Sequence, residues 1–271
     1  MIRKARMSDA GALHRLAVLL NSTNLPNELS GIEEILMHSC SGFEGLYLFV
    51  LEDTTTRKVI GSSQIIARHG TAELPHIFFQ IENLKCHSES LKETVEHKLL
   101  RLGFDFEGYT EVGGLILDPE YRHVPQKLGR VLSLVRFWFI QKHPENFQKR
   151  LLAELLPPFD ALGKSPLWEA LGCHFTRLSY QQADHFSRKQ KEFIECLFPE
   201  YPINMALLPA EARAVIGKVG EGSKPAAHLL EKLGFRFEGR VDPFDGGPHF
   251  EMHTQDLPVI NLDSDVKIEI I

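Results

Sequence analysis

Residues 115–132 have the composition of a strand, a loop and a helix that together could bind a phosphorylated ligand. An apolar strand ends near Leu117, and a helix begins close to Gly129. The first N–H groups of a helix have no partner within it, and with the helix dipole they favour an anion such as a pyrophosphate. Gly129 permits close approach of the phosphate, and Lys127 and Arg130 add positive charge. The alternative is an ordinary strand-loop-helix unit with a basic surface, because a Gln-x-x-Gly loop alone is a weak motif.

The strand before this loop could bind amides and a developing negative charge. Its free edge can hydrogen-bond the amide groups of an extended pantetheine arm, as a peptide adds to a sheet edge. A backbone N–H at its end can stabilise the oxyanion formed when an amine attacks a thioester. The segment therefore predicts a site for a coenzyme A (CoA) thioester. The predicted CoA contacts are Leu115, Leu117, Gln126, Lys127, Leu128, Gly129 and Arg130.

The elements around this segment alternate between strands and helices, which predicts an α/β fold. Strands are expected over residues 2–6, 46–51, 59–66, 76–81, 112–117, 151–155, 235–240 and 250–254. Helices are expected over 10–20, 32–38, 91–102, 128–140, 166–171, 188–197, 209–216 and 225–233. We expect Ser165 to cap the helix that starts at Pro166. We place a domain boundary near residue 180.

Composition and charge exclude several function classes. The net charge is −6 without a long basic stripe, which argues against nucleic acid as a partner. No run of 18 apolar residues and no apolar leader are present, so we expect a cytoplasmic protein with no membrane association. The four cysteines lack metal-ligand or redox spacing and predict free thiols in a reducing compartment. With the histidines scattered, we expect no metal.

One sequence pattern occurs twice. Residues 99–108 resemble residues 229–239, with one residue inserted in the second copy. Two interpretations stand: two helices that end in a Leu-Gly pair, or a tandem of related half-folds. We favour the first.

Several segments, taken together, resemble the GNAT N-acyltransferases, and within them the arginine N-succinyltransferases. These enzymes move a succinyl group from succinyl-CoA to the α-amine of arginine. The segments are Leu-Asp-Pro-Glu-Tyr-Arg at 117–122, Ser-Pro-x-Trp at 165–168, Pro-x-Tyr-Pro-Ile at 199–203, Val-Ile-Gly at 215–217 and Phe-Asp-Gly-Gly-Pro at 244–248. The match covers most of residues 1–255, and family members usually extend well beyond residue 271.

The resemblance implies a fold, a co-substrate and an assembly. The expected fold is a GNAT-like mixed sheet flanked by helices, with a second, smaller GNAT-like half. Residues 1–180 would form the acyl-CoA-binding domain, and residues 181–271 would complete the acceptor site. Succinyl-CoA or another acyl-CoA would be the co-substrate, a small amino acid would be the acceptor, and similar chains could form a homo- or hetero-oligomer.

The chain departs from the family at the positions that carry proton transfer. Gly220 stands where the family has its histidine proton donor, and glycine has no side chain that could donate. Leu156 lies near a position that usually holds arginine. Trp168 and Leu230 occupy the places where other GNAT enzymes have a tyrosine acid. No catalytic residue can be named from the sequence.

Further departures surround these positions. Tyr201 and Asn204 replace a histidine and a tyrosine of the family. The phosphate loop is two residues longer than in the family, and Val131 replaces its second small residue.

Other polar residues are candidates for the acceptor site. Glu154 ends a central strand, and Asp245 could meet a cationic substrate group, so we assign both to substrate binding. His228 and Glu221 are weaker candidates, because a solvated surface role is the default for each. We expect Arg136 on the surface of its helix rather than in a site.

The sequence is compatible with three functions. The leading function is transfer of an acyl group, by resemblance succinyl, from CoA to the amine of a small amino acid such as arginine. The second is a non-catalytic acyl-CoA-binding or partner subunit, which Gly220 favours. The third keeps catalysis but uses acetyl-CoA and another amine.

Overall fold

The computed structural model describes residues 1–20, 25–41, 45–106, 108–188, 190–262 and 266–270. Its strands are β1 (Ile2–Lys4), β2 (Leu46–Asp53), β3 (Lys58–His69), β4 (His76–Ser88), β5 (Glu93–Asp105), β6 (Tyr109–Leu117), β7 (Arg150–Glu154), β8 (Ile203–Asn204), β9 (Arg236–Val241), β10 (Pro248–His253) and β11 (Ile268–Glu269). Its α-helices are α1 (Ala10–Leu20), α2 (Leu29–Ser41), α3 (Leu128–Lys142), α4 (Cys173–Thr176), α5 (Tyr180–Ser187), α6 (Glu192–Leu197), α7 (Ala210–Val215) and α8 (Lys224–Leu233).

The chain divides into two compact units. The first comprises Met1–His69, Tyr109–Leu152 and Met252–Ile271, and the second comprises Gly70–Gly108 and Ala153–Glu251. Each unit combines segments that are distant in the sequence, because strand pairing and not chain order brings them together. This division differs from the expected single domain boundary near residue 180, because each unit contains segments from both sides of that residue. The functional division into residues 1–180 and 181–271 stays a prediction.

In the first unit a mixed sheet has the order β11-β1-β2-β3-β6-β7. β1–β2, β2–β3 and β3–β6 are antiparallel, whereas β1–β11 and β6–β7 are parallel. The expected β2–β3 hairpin is confirmed, and Asp53 stabilises its turn by accepting hydrogen bonds from Thr55 N and Thr56 Oγ1 at 2.9 and 2.8 Å. α1 and α2 pack on the sheet through a core that includes Leu13, Leu16, Ile32, Leu36, Leu48 and Ile116.

In the second unit the order is β10-β9-β4-β5-β8, and each pair of neighbours is antiparallel. The core of this unit lies around Trp168, Phe79 and Leu100, all fully buried. Ser165 accepts a hydrogen bond from Trp168 N at 3.1 Å, which confirms the expected cap. The turn that follows, Trp168–Gly172, is π-helical and leads into α4. The expected α/β fold, a mixed sheet flanked by helices, is confirmed.

The helix predicted over residues 91–102 is wrong. These residues belong to β5, which pairs with β4 along its whole length, from His76↔Asp105 to Ser88↔Glu93. The leucines, lysines and glutamates of this segment favour a helix locally, but thirteen cross-strand pairs outweigh that preference. The helix predicted over 188–197 is also partly wrong, since α6 begins only at Glu192. Residue 189 lies outside the described residues.

The internal repeat does not mark two helix ends. Gly234 ends α8 in the left-handed region, with φ 104° and a hydrogen bond from Phe235 N to Leu230 O of 3.1 Å. Gly103, in contrast, lies inside β5, where a Cβ would come within 2.6 Å of the Phe78 ring. The first glycine is required by backbone conformation and the second by close packing.

Candidate functional site

β6 carries a bulge near its C-terminal end. Ser62 pairs with Ile116 and Gln64 pairs with Gly113, so Gly114 and Leu115 together lie opposite one residue of β3. Gly114 has φ 59°, and a Cβ there would lie 2.7 Å from Gln64 Cγ. Both facts require glycine at this position.

The outer edge of β6 is open beyond the bulge. Its pairing with β7 is limited to Thr110↔Leu151 and Glu111↔Leu152, so within the described part of the first unit no strand covers residues 112–117 on that side. Leu115 and Leu117 are half-buried on this stretch. An edge of this kind can hydrogen-bond an extended ligand that contains amides.

Arg136 lies beneath the bulge, and the expectation that it sits on the helix surface is wrong. Its side chain is buried, and it donates hydrogen bonds from Nη1 to Gly113 O at 3.0 Å and from Nη2 to Ser133 Oγ at 2.6 Å. Burial lowers the pKa of Arg136 to about 10, while the charge of Glu111 opposes that shift. The helical period places position 136 on the face of α3 that packs against the sheet, with Leu132 and Phe139. Arg136 therefore fixes the backbone of the bulge.

The helix that follows begins as the sequence predicted. Lys127 precedes α3 in the left-handed conformation, with φ 49°, and its carbonyl accepts a hydrogen bond from Arg130 N at 2.8 Å. No side chain of the described residues caps this helix start. A Cβ at Gly129 would meet only Leu117 Cδ2, at 3.6 Å, so the helix start is open and lies against the end of β6. Gln126, Lys127 and Arg130 are exposed, and Leu128 is half-buried.

The second unit contains an acidic turn between β9 and β10. Asp242 Oδ1 accepts hydrogen bonds from Phe244 N and Asp245 N at 2.7 and 3.0 Å. Asp245 Oδ1 accepts from Gly247 N at 2.7 Å, and Tyr180 Oη donates to Asp245 Oδ2 at 3.4 Å. The sequence indicated Asp245 but missed Asp242, although the turn chemistry of an Asp-Pro-Phe-Asp-Gly-Gly segment was a usable signal.

Both carboxyl groups of this turn lie in surroundings that disfavour their charge. Burial raises the pKa of Asp242 to about 6. Burial is the main cause that raises the pKa of Asp245 well above its ordinary value, and the negative charge of Asp242 raises it further. Burial also raises the pKa of Tyr180, so its hydroxyl remains a donor to Asp245. A cation that entered this turn would favour the ionised carboxylates.

Glu154 lies beside two buried histidines that the sequence did not indicate. Its Oε1 is 3.5 Å from His76 Nδ1 and 3.8 Å from His249 Nε2. The two imidazole rings are 5.0 Å apart, and both are almost fully buried. One ligand atom from each of Glu154, Asp242 and His249 lies within 4.8 Å of the others, a spacing that a metal ion could also use. The thirteen histidines have no motif spacing, so only the pairing of distant strands reveals this group.

Gly220 has no space for a side chain. Its N–H donates a hydrogen bond to Leu156 O at 2.9 Å. An added Cβ would lie 2.6 Å from Pro157 O and 3.1 Å from Leu156 O, and both are backbone atoms that cannot move aside cheaply. The weaker candidates, His228 and Glu221, lie on the helical segments that follow, where Glu221 is exposed and pairs with Lys224. The position of the family histidine is therefore packed against backbone.

The comparisons place these features in a family. A family model described as "Arginine N-succinyltransferase beta subunit" matches residues 1–259. An arginine N-succinyltransferase of Yersinia enterocolitica is 40% identical over 225 residues, which cover 83% of this chain and 64% of that protein. An arginine N-succinyltransferase subunit beta of Pseudomonas aeruginosa is 34% identical over 270 residues, which cover 96% of this chain and 78% of that protein.

A solved structure agrees with the sequence comparisons. Subunit AI of the arginine/ornithine succinyltransferase from Pseudomonas aeruginosa superposes with a TM-score of 0.80 at 28% identity, covering 94% of this chain and 77% of that chain. This chain is a mixed α/β protein with a bulged strand beside an open helix start. It belongs to the arginine N-succinyltransferase beta subunit family. The matched part of the chain spans 61–64% of the length of the several Yersinia relatives.

Among the helices that lie in the described ranges, none has the length and apolar character needed to cross a membrane.

Proposed function

We propose that this protein is an N-acyltransferase that moves an acyl group from CoA to the amine of a small amino acid. By its family, the acyl group is succinyl and the acceptor is arginine. The observation that carries the proposal is the open edge of β6, with its bulge at Gly114, beside the uncapped start of α3.

In the first unit, the edge of β6 and the start of α3 bind different parts of acyl-CoA. The free N–H groups at the start of α3 hold the pyrophosphate, and Gly129 lets it approach. Lys127 and Arg130, both exposed, add charge. Leu115 and Leu117 bind the pantetheine arm along the β6 edge, and a backbone N–H at the bulge stabilises the oxyanion. The predicted contacts Gln126 and Leu128 complete the loop.

The acceptor site lies in the second unit. The carboxylates of Asp242 and Asp245 bind the cationic end of the acceptor, and Glu154 meets its amine. A guanidinium presents planar paired donors to carboxylates, which suits an acidic turn of this kind. In this proposal residues 181–271 supply the turn, while Glu154 comes from the part of the chain before residue 180.

A second function has its own observation. Gly220 packs against the backbone of Leu156 and Pro157, so the family histidine has no equivalent at that position. Loss of a general acid or base costs about 10²–10⁴-fold and leaves positioning and oxyanion stabilisation in place. A chain of this kind could bind acyl-CoA as a non-catalytic subunit. The names of its relatives include a beta subunit, and we propose that it assembles with copies of itself or with a similar chain in a reducing cytoplasm.

CoA binding at the β6–α3 site is tested with Gly129→Leu. The added side chain has room in the fold but occupies the approach to the helix start, so we expect CoA affinity to fall at least tenfold. Gly11→Leu is the matched control, because Gly11 lies in the first turn of α1 and an added Cβ there meets nothing within 4 Å. Titration calorimetry with CoA measures both variants. Equal affinity in Gly129→Leu and wild type would remove this loop from the site.

A further inference from the structure

The strand end at residues 154–157 connects the lost histidine position with the two buried histidines. Leu156 O accepts the hydrogen bond from Gly220 N at 2.9 Å. Leu155 N donates to Pro248 O at 3.1 Å, which places the residue before His249 against the same segment. The position that lacks a proton donor and the His-Glu group are therefore neighbours along a few residues of backbone.

The geometry of the group distinguishes it from a surface glutamate. Two imidazoles direct a nitrogen to the same oxygen, Glu154 Oε1, at 3.5 and 3.8 Å. His76 and His249 are 1% and 0% exposed, whereas the Glu154 side chain is 33% exposed. A carboxylate with one side in solvent and two buried imidazole rings behind it can accept a proton from a ligand and release it to solvent.

We propose that Glu154, His76 and His249 form a proton-accepting centre close to the position where the family histidine is missing. This inference rests on the proposed acyl transfer. Glu154 is the catalytic base, because its carboxylate is the part of the group that solvent and an acceptor can reach. His76 and His249 are positioning residues that orient the carboxylate and share its proton.

The proton balance of the reaction defines what this centre must do. The acceptor enters as an ammonium ion, so one proton leaves its nitrogen for Glu154 before attack. The nitrogen lone pair then forms the bond to the thioester carbonyl carbon, and the C–S bond breaks when the tetrahedral intermediate collapses. The second nitrogen proton goes to the departing thiolate, and the proton on Glu154 is released to solvent. The products are the amide, CoA with a free thiol and one proton.

The test compares Glu154→Gln with wild type and with Glu82→Gln. Glu82 is the matched control because it is also a strand glutamate of the second unit, with 37% side-chain exposure and an ion pair to Arg101. We expect Glu154→Gln to lower kcat by about 10²–10⁴-fold and to leave the KM for acyl-CoA unchanged. Formate should restore part of the activity of Glu154→Ala, an effect that a purely structural role would not produce. Glu82→Gln should keep wild-type kcat.

Three results would overturn the inference. One is an unchanged kcat in Glu154→Gln. Another is a loss of wild-type activity on chelation that added Zn²⁺ restores, which would make the group a metal site. The third comes from NMR of protein labelled with ¹⁵N-histidine, which needs no turnover. The variants His76→Gln and His249→Gln assign the imidazole ¹⁵N signals of these two residues. Glu154→Gln should change the chemical shifts of both imidazoles. Unchanged chemical shifts would refute the contact between Glu154 and the histidines. If the wild-type protein shows no acyl transfer but Glu154→Gln still changes the imidazole chemical shifts, the proposed function would be refuted and the proton-binding group would stand.

Discussion

Gly114→Ala tests whether the bulge in β6 is both required by the fold and used by the site. Alanine at φ 59° carries a left-handed backbone penalty of roughly 1–2 kcal/mol. Its Cβ would also lie 2.7 Å from Gln64 Cγ and 2.9 Å from Gln64 Cδ, so that side chain must move. The expected loss of stability is about 1–3 kcal/mol, the usual size of a strained backbone position.

Gly113→Ala is the control for this variant. Gly113 lies next to the bulge without a positive φ, and the nearest atom to its added Cβ is the flexible carboxylate oxygen of Glu111, at 3.1 Å. Urea denaturation should show a clear loss for Gly114→Ala and a smaller one for Gly113→Ala. Gly114→Ala should also lower kcat/KM for acyl-CoA, because the oxyanion donor shifts. Equal stability and activity in both variants would refute this account of the bulge.

Three further predictions address the residues around the two sites. Arg136→Met should cost about 1–3 kcal/mol in urea denaturation, because the half-buried Gly113 carbonyl loses its donor, and Arg136→Lys should recover part of that loss. Gly220→His should not restore a proton donor but should lower Tm and leave kcat no higher than wild type, since its Cβ would overlap Pro157 O. The carboxyl of Asp242, with a pKa raised to about 6 against roughly 3.9 in the unfolded chain, gives a stability contribution present below about pH 4 and lost as pH rises through 6. Asp242→Asn should flatten that part of the stability-pH curve measured by urea denaturation, and an unchanged slope would contradict the burial of this carboxyl.

The sequence predicted the elements whose signals are local. α3 begins at Leu128 as expected, because Gly129 and the apolar periodicity after it mark a helix start. Ser165 caps the helical turn that begins at Pro166, as a serine before a proline predicts. β5 could not be predicted this way, because its strand state depends on thirteen pairs with β4 and on the turn before it, where Lys92 has φ 55°. The same limit explains Arg136. Its hydrogen bond to Gly113 joins residues 23 positions apart, and no local pattern encodes it.

The candidate site shows the same division between local and non-local information. The loop that precedes α3 is contiguous, so residue types and spacing were enough to indicate it. Glu154, His76 and His249 come from three strands, and only the pairing of those strands brings a ring nitrogen of each histidine within 4 Å of Glu154 Oε1. The sequence showed that Gly220 differs from the family histidine. Only the structure shows the backbone contact that excludes a side chain at this position.

The most direct test of the central claim is a thiol-release assay with succinyl-CoA, measured with and without arginine, beside a thermal-shift measurement with CoA. We expect CoA-induced stabilisation and arginine-dependent release of free thiol, with less release when acetyl-CoA replaces succinyl-CoA. Stabilisation by CoA without release for any tested acceptor would identify a non-catalytic acyl-CoA-binding subunit. If CoA causes no stabilisation and no thiol is released, that result would contradict the proposal that the edge of β6 and the start of α3 bind acyl-CoA.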